Sequence, residues 1–183
     1  MRECLIGTAE PVDIALTLAP MRRGRWDPTS LFDDAVVWRA MRTPEGPTTM
    51  CATATSSAIR VRSWGPGASW VIRNAPELTG ATDDPSVFVA RHTVVRDMQR
   101  RLPGLRIART NLPTEALVAS IVEQKVNGVE AGRSYAALVR LAGEVAPGPV
   151  DLLLPPDPRT LAQMPYYAFH PLGIERKRAE TIR

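Results

Sequence analysis

A chain of 183 residues is long enough for one medium domain or two small ones. With 44% apolar residues it can build a packed core, which excludes a disordered linker, and its formal charge of +4 favours a polyanionic partner only slightly. No apolar run approaches the ~20 residues of a membrane helix, and Met1 to Thr8 lacks the apolar centre of a secretory signal, so a soluble, cytoplasmic monomer is expected.

All but two of the 23 basic residues are arginines, the exceptions being Lys125 and Lys177. Beside so much Ala and Pro, this reads as a GC-rich coding sequence rather than selection for Arg. Cys4 and Cys51 have no metal-like or redox-like spacing. They are expected to be reduced thiols, and neither a metal nor a cofactor is expected.

Val12, Ile14, Leu16 and Leu18 alternate with Asp13, Ala15 and Thr17, which predicts a strand. A second strand is predicted over Val36 to Arg42. It closes at Thr43-Pro44-Glu45-Gly46-Pro47, where Pro fixes φ and Gly is free to take positive values. Thr48 to Thr55 resumes extended structure, and Ile59, Val61 and Ser63 alternate with Arg60 and Arg62. Gly65-Pro66-Gly67 turns the chain, and Trp70-Val71-Ile72 is read as a returning strand. An antiparallel sheet of about four or five strands follows.

The pattern changes at Asp83-Asp84-Pro85, where Asp84 suits a helix cap and Pro85 its first position. Val87, Phe88, Val94, Val95, Met98 and Leu102 follow at helical spacing, with a break near His92, until Pro103-Gly104. The next helix starts at Pro113-Thr114 and carries Leu117, Val118, Ile121 and Val122, with Asn127-Gly128 as its left-handed cap. Ala131, Tyr135, Leu138, Val139 and Ala142 form another helix up to Gly143, so the two make a hairpin with a very short turn. Ala146 to Pro156 is a Pro-rich connection. Asp157-Pro158 caps a short helix that ends at Met164-Pro165, and a last helix starts after Gly173. Ile174, Arg178, Ala179 and Ile182 keep helical spacing to the final residue without a stop signal, so the chain is expected to continue past Arg183. The expected class is α+β: an antiparallel-sheet domain over residues 1–82 and an all-helical domain over residues 83–183, incomplete at its C-terminal end.

The segment Leu117 to Val126, with Glu123-Gln124-Lys125 near its end, resembles the Gln-containing helix of helix-hairpin-helix DNA glycosylases. Leu172-Gly173-Ile174 and the Arg178-Ala179 pair resemble the family's following Leu-Gly turn and helix, at fitting distance. Ala15-Leu16-Thr17-Leu18 and Trp38-Arg39-Ala40-Met41-Arg42 are similar to the small sheet domain of the 3-methyladenine DNA glycosylase II type. The resemblance runs from about Val12 to Ile182. It implies excision of alkylated bases, such as 3-methyladenine, from damaged double-stranded DNA in base excision repair.

Such enzymes bend the duplex and fill the gap left by an extruded nucleotide, because a base inside the stack is unreachable. By resemblance, the wedge comes from the turn after the Gln-containing helix, at Lys125. The residues alone place Gln124 to Gly128 at an exposed meeting of two helices, which makes Gln124, Lys125, Asn127 and Gly128 the candidate DNA-binding residues. Wedges are commonly apolar. The Lys125 stem would fill a stacking gap while its ammonium reaches a phosphate; the bland alternative is a solvated lysine at a helix end. Gln124 either lines the DNA side or bonds the backbone of the turn. Tyr166, Tyr167 and His170, clustered with Phe169, are the base-pocket candidates; equally they anchor a loop between helices, as aromatics usually do. His170 has no Cys, Asp or Glu pattern for metal or triad chemistry. Trp26, Trp38, Trp64 and Trp70 are read as core.

The family's catalytic Asp follows a Leu-Pro-Gly-hydrophobic-Gly hairpin. Leu102-Pro103-Gly104-Leu105 is similar to that hairpin, but it precedes the Gln-containing helix and has Arg106 where Gly is needed. It is read as a helix stop, and Asp151 and Asp157 as loop and cap residues. No catalytic residue is assigned, and the chain by itself is expected to excise no base. The competing readings are an 8-oxoguanine-type glycosylase, a DNA-binding or lesion-sensing module without chemistry, and an unrelated α+β domain.

Overall fold

A computed structural model describes residues 1–183. The first third is a five-stranded antiparallel sheet in the order β1-β5-β4-β3-β2, built from Arg2–Gly7, Ser30–Asp33, Val36–Thr43, Gly46–Ala54 and Ala58–Trp64 as β1 to β5. The α+β expectation holds. β3 and β4 pair from Val36↔Thr53 to Thr43↔Gly46, so the turn at Thr43 to Gly46 falls where Pro and Gly placed it. Thr43 Oγ1 closes it by donating to the Gly46 carbonyl at 2.8 Å.

Two of the predicted strands are helices. Ile14–Leu18 is α1, because Asp13 accepts the Leu16 N–H at 2.8 Å and caps a turn in which Ile14, Thr17 and Leu18 all face inward. Trp70-Val71-Ile72 lies in α2, Ala68–Leu78, whose buried Trp70, Val71, Ala75 and Leu78 follow helical spacing. Apolar alternation over so few residues fits either period, and the helical one buries more. The strands that complete the sheet in their place are β1 and β2.

α1 and α2 cover one face of the sheet and build a core around Ile14, Leu18, Met41, Met50, Ile59 and Val71. The opposite face is also covered. Ala146, Leu152 and Leu154 pack on Ala40 and on Trp38, which stacks with Trp64 at 5.3 Å. This is why β4 is buried on both sides from Thr48 to Ala52.

A 3-10 turn at Pro85–Val87, capped by Asp84, leads to α3, Thr93–Arg101, with His92 as its cap, so the break expected near His92 is present. No residue of α3 is buried. The stop at Pro103-Gly104 leans on α1: Asp13 N–H donates to the Gly104 carbonyl at 2.8 Å, and a Cβ at Gly104 would stand 2.7 Å from Asp13 N. Leu112 closes the first core from beyond this segment.

The helical part comprises α4 (Pro113–Val122), α5 (Gly128–Ala142), α6 (Pro158–Gln163), α7 (Tyr166–Phe169) and α8 (Arg176–Ile182). Val118, Val122, Tyr135, Leu138, Val139, Leu161, Phe169 and Ile174 form a second core. A single bridge, Val145 to Leu153, is the one β-type pairing in this part. No helix is long and apolar enough to cross a membrane.

Candidate nucleic-acid interface

The turn between α4 and α5 is built from opposed capping needs. α4 ends with the Glu123 N–H on the Ala119 carbonyl, and the Gln124 N–H donates to Ile121 at 3.2 Å. Lys125 then adopts φ +58°, the left-handed conformation that ends a helix. Asn127 has the opposite duty from the one its sequence suggests. It is extended (φ −74°, ψ 159°), and its Oδ1 accepts the N–H groups of Val129 at 3.1 Å and Glu130 at 2.9 Å. It starts α5 and does not finish α4; the left-handed residue is Lys125.

Gln124, Lys125, Asn127 and Gly128 are all exposed, and Val126 is half-buried. The Gln124 side chain makes no hydrogen bond to the turn. A Cβ at Gly128 would meet nothing within 4 Å, so the start of α5 is open to solvent although Asn127 caps it.

The turn is held from beneath by Arg178, which is 7% exposed. Its Nη1 donates to the Val122 carbonyl at 2.8 Å and its Nη2 to the Gly173 carbonyl at 3.1 Å. One guanidinium thus joins the last turn of α4 to the bend after the aromatic loop. The bend has Gly173 at φ +78°, with Ser134 Oγ 2.9 Å from where a Cβ would stand. Pairing Arg178 with Ala179 hints at a basic residue facing inward, since Ala179 is fully buried; the site candidates from sequence did not include it. From the side, Arg23 reaches Glu123 at 3.3 Å.

The aromatic candidates divide. Tyr166 is half-buried against the second core, edge-on to His170 at 6.3 Å, with the Arg176 guanidinium 5.7 Å from its ring. Glu180, at 2.7 Å from Arg176, raises that guanidinium's pKa further. Tyr167 points to solvent at 74% exposure, and His170 is exposed. Phe169, fully buried, is the anchor of the loop. Farther along α5, near the start of α4, burial pushes the Tyr135 phenol far above its ordinary pKa, helped by the Glu115 and Asp27 carboxylates, so it stays neutral.

The main cavities lie elsewhere. One of about 560 Å³ opens between the β3–β4 turn and the start of α4, lined by Arg42, Gly46, Pro113, Glu115, Tyr135 and Pro155. A second, about 790 Å³, lies along α3 beside Phe88, Val95, Met98 and Ile107, and a third, about 710 Å³, lies between α1 and the Pro103-Gly104 stop. None of these includes Tyr166, Tyr167 or His170.

No protein-family model and no curated protein sequence matches this chain. Solved structures do. A 3-methyladenine DNA glycosylase from Archaeoglobus fulgidus superposes with a TM-score of 0.79 at 17% identity, over 98% of this chain and 64% of its own. The 8-oxoguanine glycosylase/lyase of Clostridium acetobutylicum, in complex with double-stranded DNA containing cytosine opposite 8-oxoguanine, gives 0.69 at 10% identity, over 98% and 62%. MBOgg1, in complex with a low-affinity DNA ligand, gives 0.71 at 12% identity, over 100% and 63%. The chain therefore spans less than two thirds of the length of the structures it matches. Across that span it has the fold of the 3-methyladenine and 8-oxoguanine DNA glycosylases.

Proposed function

We propose that this chain is the duplex-opening part of a DNA glycosylase that removes alkylated bases, such as 3-methyladenine, from double-stranded DNA. The observation that carries the reading is Lys125, exposed at φ +58° at the tip of the α4–α5 turn, in a fold shared with glycosylases. The higher superposition score of the 3-methyladenine enzyme, 0.79 against 0.69 and 0.71, supports the alkylated-base class over 8-oxoguanine. The reading keeps the division into a sheet unit over residues 1–82 and a helical unit over 83–183, with Leu112 leaning back on the sheet core.

In this reading the turn enters the stack where a nucleotide is extruded, and a flipped nucleotide leaves a gap that costs a few kcal/mol of lost stacking. The Lys125 methylenes fill that gap and the ammonium meets a phosphate. Gly128 and Asn127 stand at the exposed start of α5, whose positive dipole end favours a phosphate. Tyr166, Tyr167 and His170 stand on the aromatic loop that Arg178 ties to the same turn, within reach of an extruded base.

The test is binding to duplexes that carry a stable abasic-site analogue, with 2-aminopurine opposite the gap as reporter. Wild type should bind the gapped duplex more tightly than an intact one and change the 2-aminopurine emission. Lys125→Ala should lose both effects and lower the slope of log K against log salt by about 0.9. Lys125→Leu should keep the emission change and lose the salt term. Unchanged binding, emission and slope in Lys125→Ala would make this residue a solvated helix end and remove the reading's support. Preference for duplexes with methylated purines over 8-oxoguanine duplexes separates the two lesion classes.

A further inference from the structure

The sheet part carries an arginine-rich loop to the flank of the α4–α5 turn. Arg22-Arg23-Gly24-Arg25-Trp26 leads into β2 and lies against the first turns of α5. Gly24 and Gly132 meet backbone to backbone: a Cβ on Gly132 would stand 3.2 Å from the Arg23 carbonyl and one on Gly24 3.3 Å from the Gly132 Cα. Asp27 shapes the loop from inside. It is buried, and its carboxylate accepts from Arg23 N–H at 2.8 Å, Thr29 N–H at 2.9 Å, Thr29 Oγ1 at 2.7 Å and Ser30 Oγ at 3.1 Å.

Around Trp26 the arginines converge. The Arg25 and Arg133 guanidiniums lie 4.6 Å and 4.9 Å from its ring centroid, and Arg140 reaches its carbonyl at 3.4 Å. Arg22 lies over Phe32 at 5.3 Å. Arg23 is paired with Glu123, but Arg22, Arg25, Arg133 and Arg140 are exposed and form no ion pair. Like charges gathered this closely repel each other unless an anion joins them. Stacking on the indole fixes guanidinium planes that still offer their N–H forks to solvent, the geometry that suits phosphate.

We propose that this arginine–tryptophan surface is a second DNA contact, one that follows the phosphate backbone of the strand leaving the Lys125 turn. The inference rests on the DNA-binding reading of that turn. At 1.5 Å per residue, Arg133 lies about 7.5 Å and Arg140 about 18 Å along α5 from Gly128. At about 3.4 Å per nucleotide, that corresponds to roughly two to five nucleotides of one strand. The sheet part thereby supplies grip on the flanking duplex, and the helical part supplies the wedge.

The experiment is fluorescence anisotropy of the chain with a labelled duplex holding an abasic-site analogue, across a series of salt concentrations. Arg25→Gln/Arg133→Gln should lower the slope of log K against log salt by about 1.8, and Arg25→Lys/Arg133→Lys should restore it. Arg133→Gln/Arg140→Gln leaves every residue of the loop and its Asp27 bonds unchanged and should give a similar loss, and a circular dichroism spectrum like wild type's in both variants guards against a loop that fails to form. Arg60→Gln/Arg73→Gln removes the same charge from exposed, ion-paired positions elsewhere and should leave the slope as it was. Equal losses in the control and patch variants would reduce the effect to net charge and overturn the proposal. So would a wild-type slope in both glutamine patch variants. If Lys125→Ala weakens gapped-duplex binding while the patch variants do not, the wedge reading stands and the second contact falls. Binding to phosphatidylserine vesicles with none to duplex DNA would overturn both.

Discussion

Lys125 spends conformational energy at the tip of an exposed turn. A residue with a Cβ in the left-handed region costs about 1–2 kcal/mol, and glycine avoids most of that cost. A turn under selection for stability alone would carry Gly there, and strained backbone of this kind persists where a side chain is wanted. Lys125→Gly should therefore stabilise the chain by about 1 kcal/mol in urea unfolding, while weakening gapped-duplex binding as much as Lys125→Ala does. If Lys125→Gly lowers stability instead, the lysine contributes to the fold and its retention needs no functional cause. Sequence pattern could not show this arrangement. Asn is at home both as the left-handed residue after a helix and as the cap before one, so Asn127-Gly128 reads equally well in either sense. The two N–H groups that Asn127 Oδ1 accepts decide for the second, and move the left-handed residue to Lys125.

At the scale of elements, legibility followed length and one-sidedness. α4 and α5 run 10 and 15 residues, long enough for a helical period to show, although Leu117 on α4 is 61% exposed. α1 has five residues, and there the Asp13 cap was better evidence than the alternation. β1 is an edge strand in which Cys4 and Ile6 are half-buried on the core while Leu5 between them is 65% exposed, so three apolar residues in a row hide its alternation. Arg178 went unrecognised as a site residue because it ends the run Arg176-Lys177-Arg178, and basic runs on a helix are ordinarily solvated. Its burial follows from the two carbonyls it satisfies, Val122 and Gly173, which stand far apart in sequence. Charge-assisted bonds of this kind contribute about 1.5–3 kcal/mol each. Arg178→Ala should cost roughly 3 kcal/mol in urea unfolding and loosen the Lys125 turn, seen as faster amide exchange at Glu123 and Gln124. Arg176→Ala, two positions away on the exposed side of α8, should leave both readouts unchanged. Equal effects from the two would show that Arg178 is not the tie.

For the whole molecule, the sheet and helical parts are joined by the 146–154 segment on the sheet and by several ionic contacts. Arg39 on β3 is 3% exposed and pairs with Glu115 in the first turn of α4, whose side chain is 15% exposed. Arg42, on the same strand, donates to the Pro155 carbonyl at 2.6 Å and lies 3.2 Å from Glu144. The two arginines face opposite sides of the sheet, since successive residues of a strand alternate. Arg42 is half-buried under the 146–154 segment, on the face of Trp38 and Ala40, whereas Arg39 lies on the face of Val37 and Met41, where Met21 and Glu115 cover it. Removing one partner of such a pair leaves an uncompensated charge, at about 3–5 kcal/mol, while replacing both with apolar residues of similar size is nearly neutral. Arg39→Ala should therefore be strongly destabilising, and Arg39→Met/Glu115→Leu should recover most of the loss. The single variant should also break the coincidence of the two parts. All four tryptophans lie in the sheet part, between Trp26 and Trp70, and all three tyrosines in the helical part, from Tyr135 to Tyr167. Tryptophan fluorescence and tyrosine second-derivative absorbance thus follow the parts separately during urea unfolding, and their midpoints should agree in wild type and separate in Arg39→Ala. Midpoints that stay together, with a loss below about 1 kcal/mol, would mean that apolar packing around Ala40 and Leu154 couples the parts and that the ion pair adds little.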